Sequence, residues 1–80
     1  MNREALRAAV LAALGDVAPE AELDRLEPAA ELREVLDLDS IDFLRFVQHL
    51  AAATGIEVPE SDYAQLATLE GVVAYLAARS

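Results

Sequence analysis

The sequence predicts an all-α fold: a small four-helix bundle of three longer helices and one short helix, with a long loop after the first. Three observations lead there. Apolar residues recur at helical spacing in three separate stretches. The apolar content, 55% of 80 residues, is mostly alanine, leucine and valine, with two Phe, two Tyr and no Trp, which suits a thin core between closely approaching helices. Cysteine is absent, so neither disulfides nor thiolate-bound metal hold the chain together, and stability must come from packing. Residues 1–80 should form one domain, with a modest core and no room for a deep enclosed catalytic cleft.

The first helix is expected from about Asn2 to Leu14, because Leu6, Val10 and Leu14 repeat every four residues, Asn2 can cap and Gly15 can stop it. Ala9 and Ala13 widen the stripe. From Asp16 to Leu38 the pattern breaks at Pro19 and Pro28, and the irregularly spaced Leu23, Leu26, Leu32, Val35 and Leu36 imply a long connection of one or two helical turns, pinned by these side chains. A second helix should start at Asp39 or Ser40 and end near Thr54, before Gly55 and the extended Ile56-Glu57-Val58-Pro59. Phe43, Phe46, Val47 and Leu50 form one stripe on it, and Ile41 and Leu44 a neighbouring one. So broad an arc marks either a central helix or a partner-facing edge beside a core face. A short helical segment follows over Glu60 to Leu66, then a last helix from Thr68, with Leu69, Val72, Val73 and Leu76 inward, Thr68 as cap and Arg79 in the final turn.

Charge narrows the function. Six arginines, no lysine and fifteen acids give a formal charge of -9, so the surface repels nucleic-acid phosphates and no nucleic-acid partner is expected. Acidity also confers solubility without any partner. Met1-Asn2-Arg3-Glu4 leads into an amphipathic pattern, so neither a signal peptide nor membrane insertion is expected, and the lack of cysteine suits a cytoplasmic location.

The stretch Asp37-Leu38-Asp39-Ser40-Ile41-Asp42-Phe43-Leu44 sets one hydroxyl among three carboxylates where an apolar helix begins. A calcium loop starting at Asp37 fails, since Ile41, Asp42 and Gln48 occupy its ligand, glycine and terminal-acid positions. Serine catalysis fails as well: the only histidine, His49, lies nine residues along the same helix, roughly 13 Å from Ser40. No catalytic residue and no metal ligand are therefore expected. Simple helix capping by Asp39 or Ser40, with Asp42 in the first turn against the helix dipole, accounts for the residues taken alone.

The order of the surrounding elements adds a second explanation. Leu36-Asp37-Leu38-Asp39-Ser40-Ile41-Asp42 resembles the phosphopantetheine attachment segment of acyl carrier proteins, in which an Asp-Ser-hydrophobic triplet opens the second helix. Ile56-Glu57-Val58-Pro59-Glu60 is similar to the extended segment before that family's short third helix, and Leu66-Ala67-Thr68-Leu69 to the start of its last helix, so the likeness covers essentially the whole chain. The resemblance implies that Ser40 takes a covalent 4'-phosphopantetheine from coenzyme A through a phosphopantetheinyl transferase. It further implies a non-enzymatic carrier that holds acyl groups as thioesters for a loading ligase or synthase and for other enzymes of fatty-acid, polyketide or specialised acyl metabolism, acting as a monomer. Asp39 and Asp42 would help the transferase recognise the site, or only cap. Ile41, Phe43, Leu44 and Arg45 would meet partners, and Phe46, Val47, Leu50, Leu66 and Leu76 would shelter an acyl chain or simply fill the core.

Leu38-Asp39-Ser40 is closer to acyl carriers than to peptidyl ones, which resemble Gly-Gly-x-Ser. The second helix departs from the strongly acidic fatty-acid type, carrying Arg45, Gln48, His49 and Ala51 to Ala53. Phe43 is bulky where that family commonly has a small or polar residue, and either meets a dedicated partner or packs on Leu38 or the long loop. His49 is expected to be solvated, and Tyr63 and Tyr75 to pack with wet hydroxyls. The alternative from another class is an unmodified acidic helical adaptor that binds a protein through the second helix.

Overall fold

Asn2 opens the first helix, α1 (Arg3–Val17): its side-chain oxygen accepts a hydrogen bond from the Ala5 amide at 2.7 Å. The structure is a computed structural model describing residues 1–80. α1 does not stop at Gly15. Gly15 keeps a negative φ and lies within the helix, beside the Leu23 side chain, and the chain leaves only at Ala18, where Pro19 disfavours helical backbone in the residue before it. The expected stop thus failed because a glycine ends a helix when it adopts left-handed φ, and here it does not.

The connection after α1 contains a 3-10 turn at Leu23–Arg25 and a single α-turn, α2 (Leu32–Val35). Leu26, Leu32 and Leu38 are buried and Leu23 and Leu36 half-buried, so side chains tether the segment. Val35 does not take part, being 59% exposed. Backbone bonds add a clasp between the connection and the start of the last helix: the Leu32 amide donates to the Ala67 carbonyl at 2.8 Å and the Glu70 amide to the Pro28 carbonyl at 2.9 Å. Glu31 and Thr68 form an isolated antiparallel bridge between them.

α3 (Ser40–Thr54) ends at Gly55, whose φ of 72° is the left-handed geometry that suits glycine, with its amide on the Ala51 carbonyl at 2.8 Å. The expected short helical segment is present over Glu60–Leu66, with 3-10 geometry, and α4 (Leu69–Arg79) follows under a Thr68 cap that accepts from the Gly71 amide at 3.0 Å. The fold is all-α. Leu6, Val10 and Leu14 of α1 meet Phe46 and Leu50 of α3 and Leu66, Val72 and Leu76, all fully buried. α1 packs against both α3 and α4, so it is the central helix. α3 keeps Phe43, Phe46, Val47 and Leu50 inward and leaves an apolar edge outside, with Ile41 68% and Leu44 44% exposed. No helix is long and apolar enough to cross a membrane.

Candidate functional site

Three local features raise Ser40 to the surface. Asp37 takes a left-handed φ of 52°, a conformation that aspartate tolerates better than most residues, and turns the chain after α2. Leu38 then anchors the turn, with its side chain buried and its amide on the Arg33 carbonyl at 2.9 Å. Asp39 caps α3: its Oδ1 accepts from the Asp42 amide at 2.8 Å, while Asp42 Oδ2 accepts from the Asp39 amide at 3.4 Å, a reciprocal capping box.

The cap is therefore Asp39, and Ser40 is the first helical residue. Its side chain is exposed and its hydroxyl makes no hydrogen bond within the chain, nor do the amides of Ser40 and Ile41 find a backbone or side-chain partner. These orphan donors at the positive end of a 15-residue helix suit a phosphate ester on the neighbouring oxygen. Asp39 and Asp42 oppose such a charge, but one oxygen of each is already engaged in the capping box.

The other expected site residues divide by exposure. Ile41, Leu44 and Arg45 point outward near Ser40, and Arg45 has no ion pair. Phe43 is almost wholly buried and meets solvent only where it lines a cavity beside Ser40. It is only 5% exposed, its ring edge-on to Tyr63 at 5.7 Å and tilted against Phe46 at 5.9 Å, with the Arg33 guanidinium 5.4 Å from its centre. It packs on Arg33 of α2 and on the 3-10 segment, and it is removed from the partner-facing set. Phe46, Val47, Leu50, Leu66 and Leu76 are core residues.

Arg33, Glu60 and Tyr63 join Ser40, Phe43 and Leu44 around a surface cavity of about 290 Å³. No periodic pattern points to these additions, since they come from two elements, α2 and the 3-10 segment, outside the helix that carries Ser40; the only local hint is Arg33 as a lone base between acids. His49 is not freely solvated: its Nδ1 lies 3.5 Å from Asp16 Oδ2, joining α3 to the end of α1. Tyr75 is buried, and its hydroxyl is anchored within the chain, donating to Asp62 Oδ2 at 2.6 Å.

Two similarities to known proteins bear on this geometry. Residues 4–76 match the family described as phosphopantetheine attachment site. The acyl carrier protein of Rubrobacter xylanophilus is 35% identical over 49 residues, a match spanning 61% of this chain and 60% of that relative's length.

Proposed function

The chain belongs to the phosphopantetheine attachment family, and from that premise we propose that Ser40 is the attached residue of an acyl carrier protein formed by residues 1–80. One observation carries the assignment: Ser40 is an exposed first helical residue whose hydroxyl is unbonded, because its neighbour Asp39 does the capping. A transferase can engage such a hydroxyl without unwinding α3. In the transfer the serine oxygen bonds to phosphorus of coenzyme A, the bond to adenosine 3',5'-bisphosphate breaks, and the hydroxyl proton is lost.

The family carries a covalently attached 4'-phosphopantetheine, whose terminal thiol supplies the thioester chemistry that this cysteine-free chain lacks. The protein acts as a carrier and not as a catalyst. Its own residues orient the arm and present it: a mobile tether gives the bound acyl group a high effective concentration at each enzyme that docks. Ile41 and Leu44 offer the apolar part of the docking surface, Arg45 a positive charge, and the free oxygens of Asp39 and Asp42 acceptors for a basic transferase. The partners are a phosphopantetheinyl transferase, a loading ligase or synthase, and other enzymes of acyl metabolism in the cytoplasm, served by the monomer.

The test is intact mass after incubation with coenzyme A, magnesium and a broad-specificity transferase. One phosphopantetheine should be added, and Ser40→Ala should abolish the addition while helical signal is kept. Addition at another residue would reassign the site; no addition with several transferases would favour an unmodified adaptor.

A further inference from the structure

The cavity beside Ser40, about 290 Å³, has a neighbour of about 260 Å³. Both are lined by Arg33, Phe43 and Tyr63, so these three side chains form the wall between them. Each comes from a different element: Arg33 from α2, Phe43 from α3 and Tyr63 from the 3-10 segment. Phe43 is held on three sides, by the Arg33 guanidinium at 5.4 Å, the Tyr63 ring edge at 5.7 Å and Phe46 at 5.9 Å. Below that layer Phe46, Leu50, Leu66 and Leu76 are fully buried, and none of them lines either cavity. The way from the serine to the core is filled.

On the reading of Ser40 as the attachment point, we propose that the Arg33–Phe43–Tyr63 cluster closes the bundle interior to the acyl group, so that this carrier holds short or polar acyl groups outside the core. A long apolar chain gains by leaving water, in proportion to the area that it buries. Here burial in the core requires Phe43 to be withdrawn from partners on two other elements and from Phe46. The adjoining groove over Leu44, Val47, Ala51, Val58 and Pro59, about 580 Å³, is open along its length and leaves a bound chain wet on one side. Short or polar acyl groups need no such shelter, and they remain directly available to the enzyme that docks.

The experiment loads the full chain, through the transferase, with coenzyme A analogues bearing acetyl, butyryl or octanoyl groups, and reads melting temperature and methyl chemical shifts. Each methylene taken into the core should raise the midpoint of a domain this size by roughly 3 to 6 °C. The expected result is midpoints equal within about 2 °C across the series, with unchanged shifts at Leu50, Leu66 and Leu76, and a chain-length-dependent rise once Phe43→Val opens the wall. Arg33→Ala, which removes the guanidinium over the ring together with its aliphatic stem and leaves Phe43 itself in place, replaces that variant if it does not fold. A rise with chain length in the unsubstituted protein overturns the inference, and so does a flat series in both proteins. Failure to load Ser40 overturns the carrier reading itself, and mass distinguishes that outcome before any melt is run.

Discussion

Tyr75 shows how a single side chain ties stability to pH. Its hydroxyl donates to Asp62 at 2.6 Å, the Arg79 guanidinium lies 3.5 Å from its ring centre, and Arg79 also approaches Asp62 at 3.7 Å and donates to the Tyr75 carbonyl at 3.2 Å. The hydrogen bond to Asp62 raises the phenol above its usual value of 10.0, with burial adding to the shift and Arg79 opposing it. The folded protein thus keeps this proton at pH values where the unfolded chain releases it. The stabilisation is complete below the ordinary tyrosine pKa and is lost as pH rises through the higher folded value. Melting temperature should therefore fall more steeply above pH 10.0 in the unsubstituted protein than in Tyr75→Phe; parallel curves would detach the tyrosine from alkaline unfolding. At Asp39 and Ser40 the division of labour makes a second contrast. Asp39→Ala should cost about 0.5 to 2 kcal/mol, the usual range for a lost cap, and Ser40→Ala under about 0.5 kcal/mol. Denaturant melts check the pair, and equal losses would mean that both residues cap.

Among the elements, the corner between the 3-10 segment and α4 is the tightest. A methyl group on Gly71 would lie 2.9 Å from the Gln65 carbonyl oxygen and 3.0 Å from Thr68 Oγ1, the oxygen that caps the helix. Alanine is better than glycine in a helix by about 1 kcal/mol, but a backbone carbonyl has little freedom to retreat. Gly71→Ala should lower stability by about 1 to 3 kcal/mol; a raised melting temperature would show that the corner yields. The helices themselves were legible in the sequence, because Leu6, Val10 and Leu14, or Leu69, Val72, Val73 and Leu76, bury one face and so repeat at the helical period. Asn2, Asp39, Gly55 and Thr68 were legible as local boundary chemistry. Gly15 misled because its type permits a stop that its backbone does not make. The neighbours of Ser40 were hidden for another reason: Arg33, Phe43 and Tyr63 meet only after three elements pack, and local periodicity carries no trace of that meeting. The hydroxyl partner of Tyr75, thirteen residues away on the 3-10 segment, was hidden in the same way.

For the molecule as a whole, charge and connectivity dominate. A formal charge of -9 confined to a radius of gyration of 11.2 Å is close to the Debye length of about 10 Å at 0.1 M salt, so the acids repel one another across most of the domain at low ionic strength. Modest sodium chloride near neutral pH should raise the melting temperature; a steady fall would mean that the few ion pairs, Arg25 with Glu22 and Arg79 with Asp62, matter more than the excess of acids. The clasp that joins Pro28 and Leu32 to Ala67 and Glu70 has a mechanical meaning. Together with the intervening chain it closes a ring that contains α2, α3 and the 3-10 segment, and Ser40 lies within that ring instead of on a free arm. A pull delivered at Ser40, as when an enzyme draws a tethered group into its own cleft, is divided between two routes back to the same pair of hydrogen bonds. The helix that bears the load resists being peeled from its end, so a group attached at Ser40 as proposed could be tugged while the surface beneath it keeps its shape.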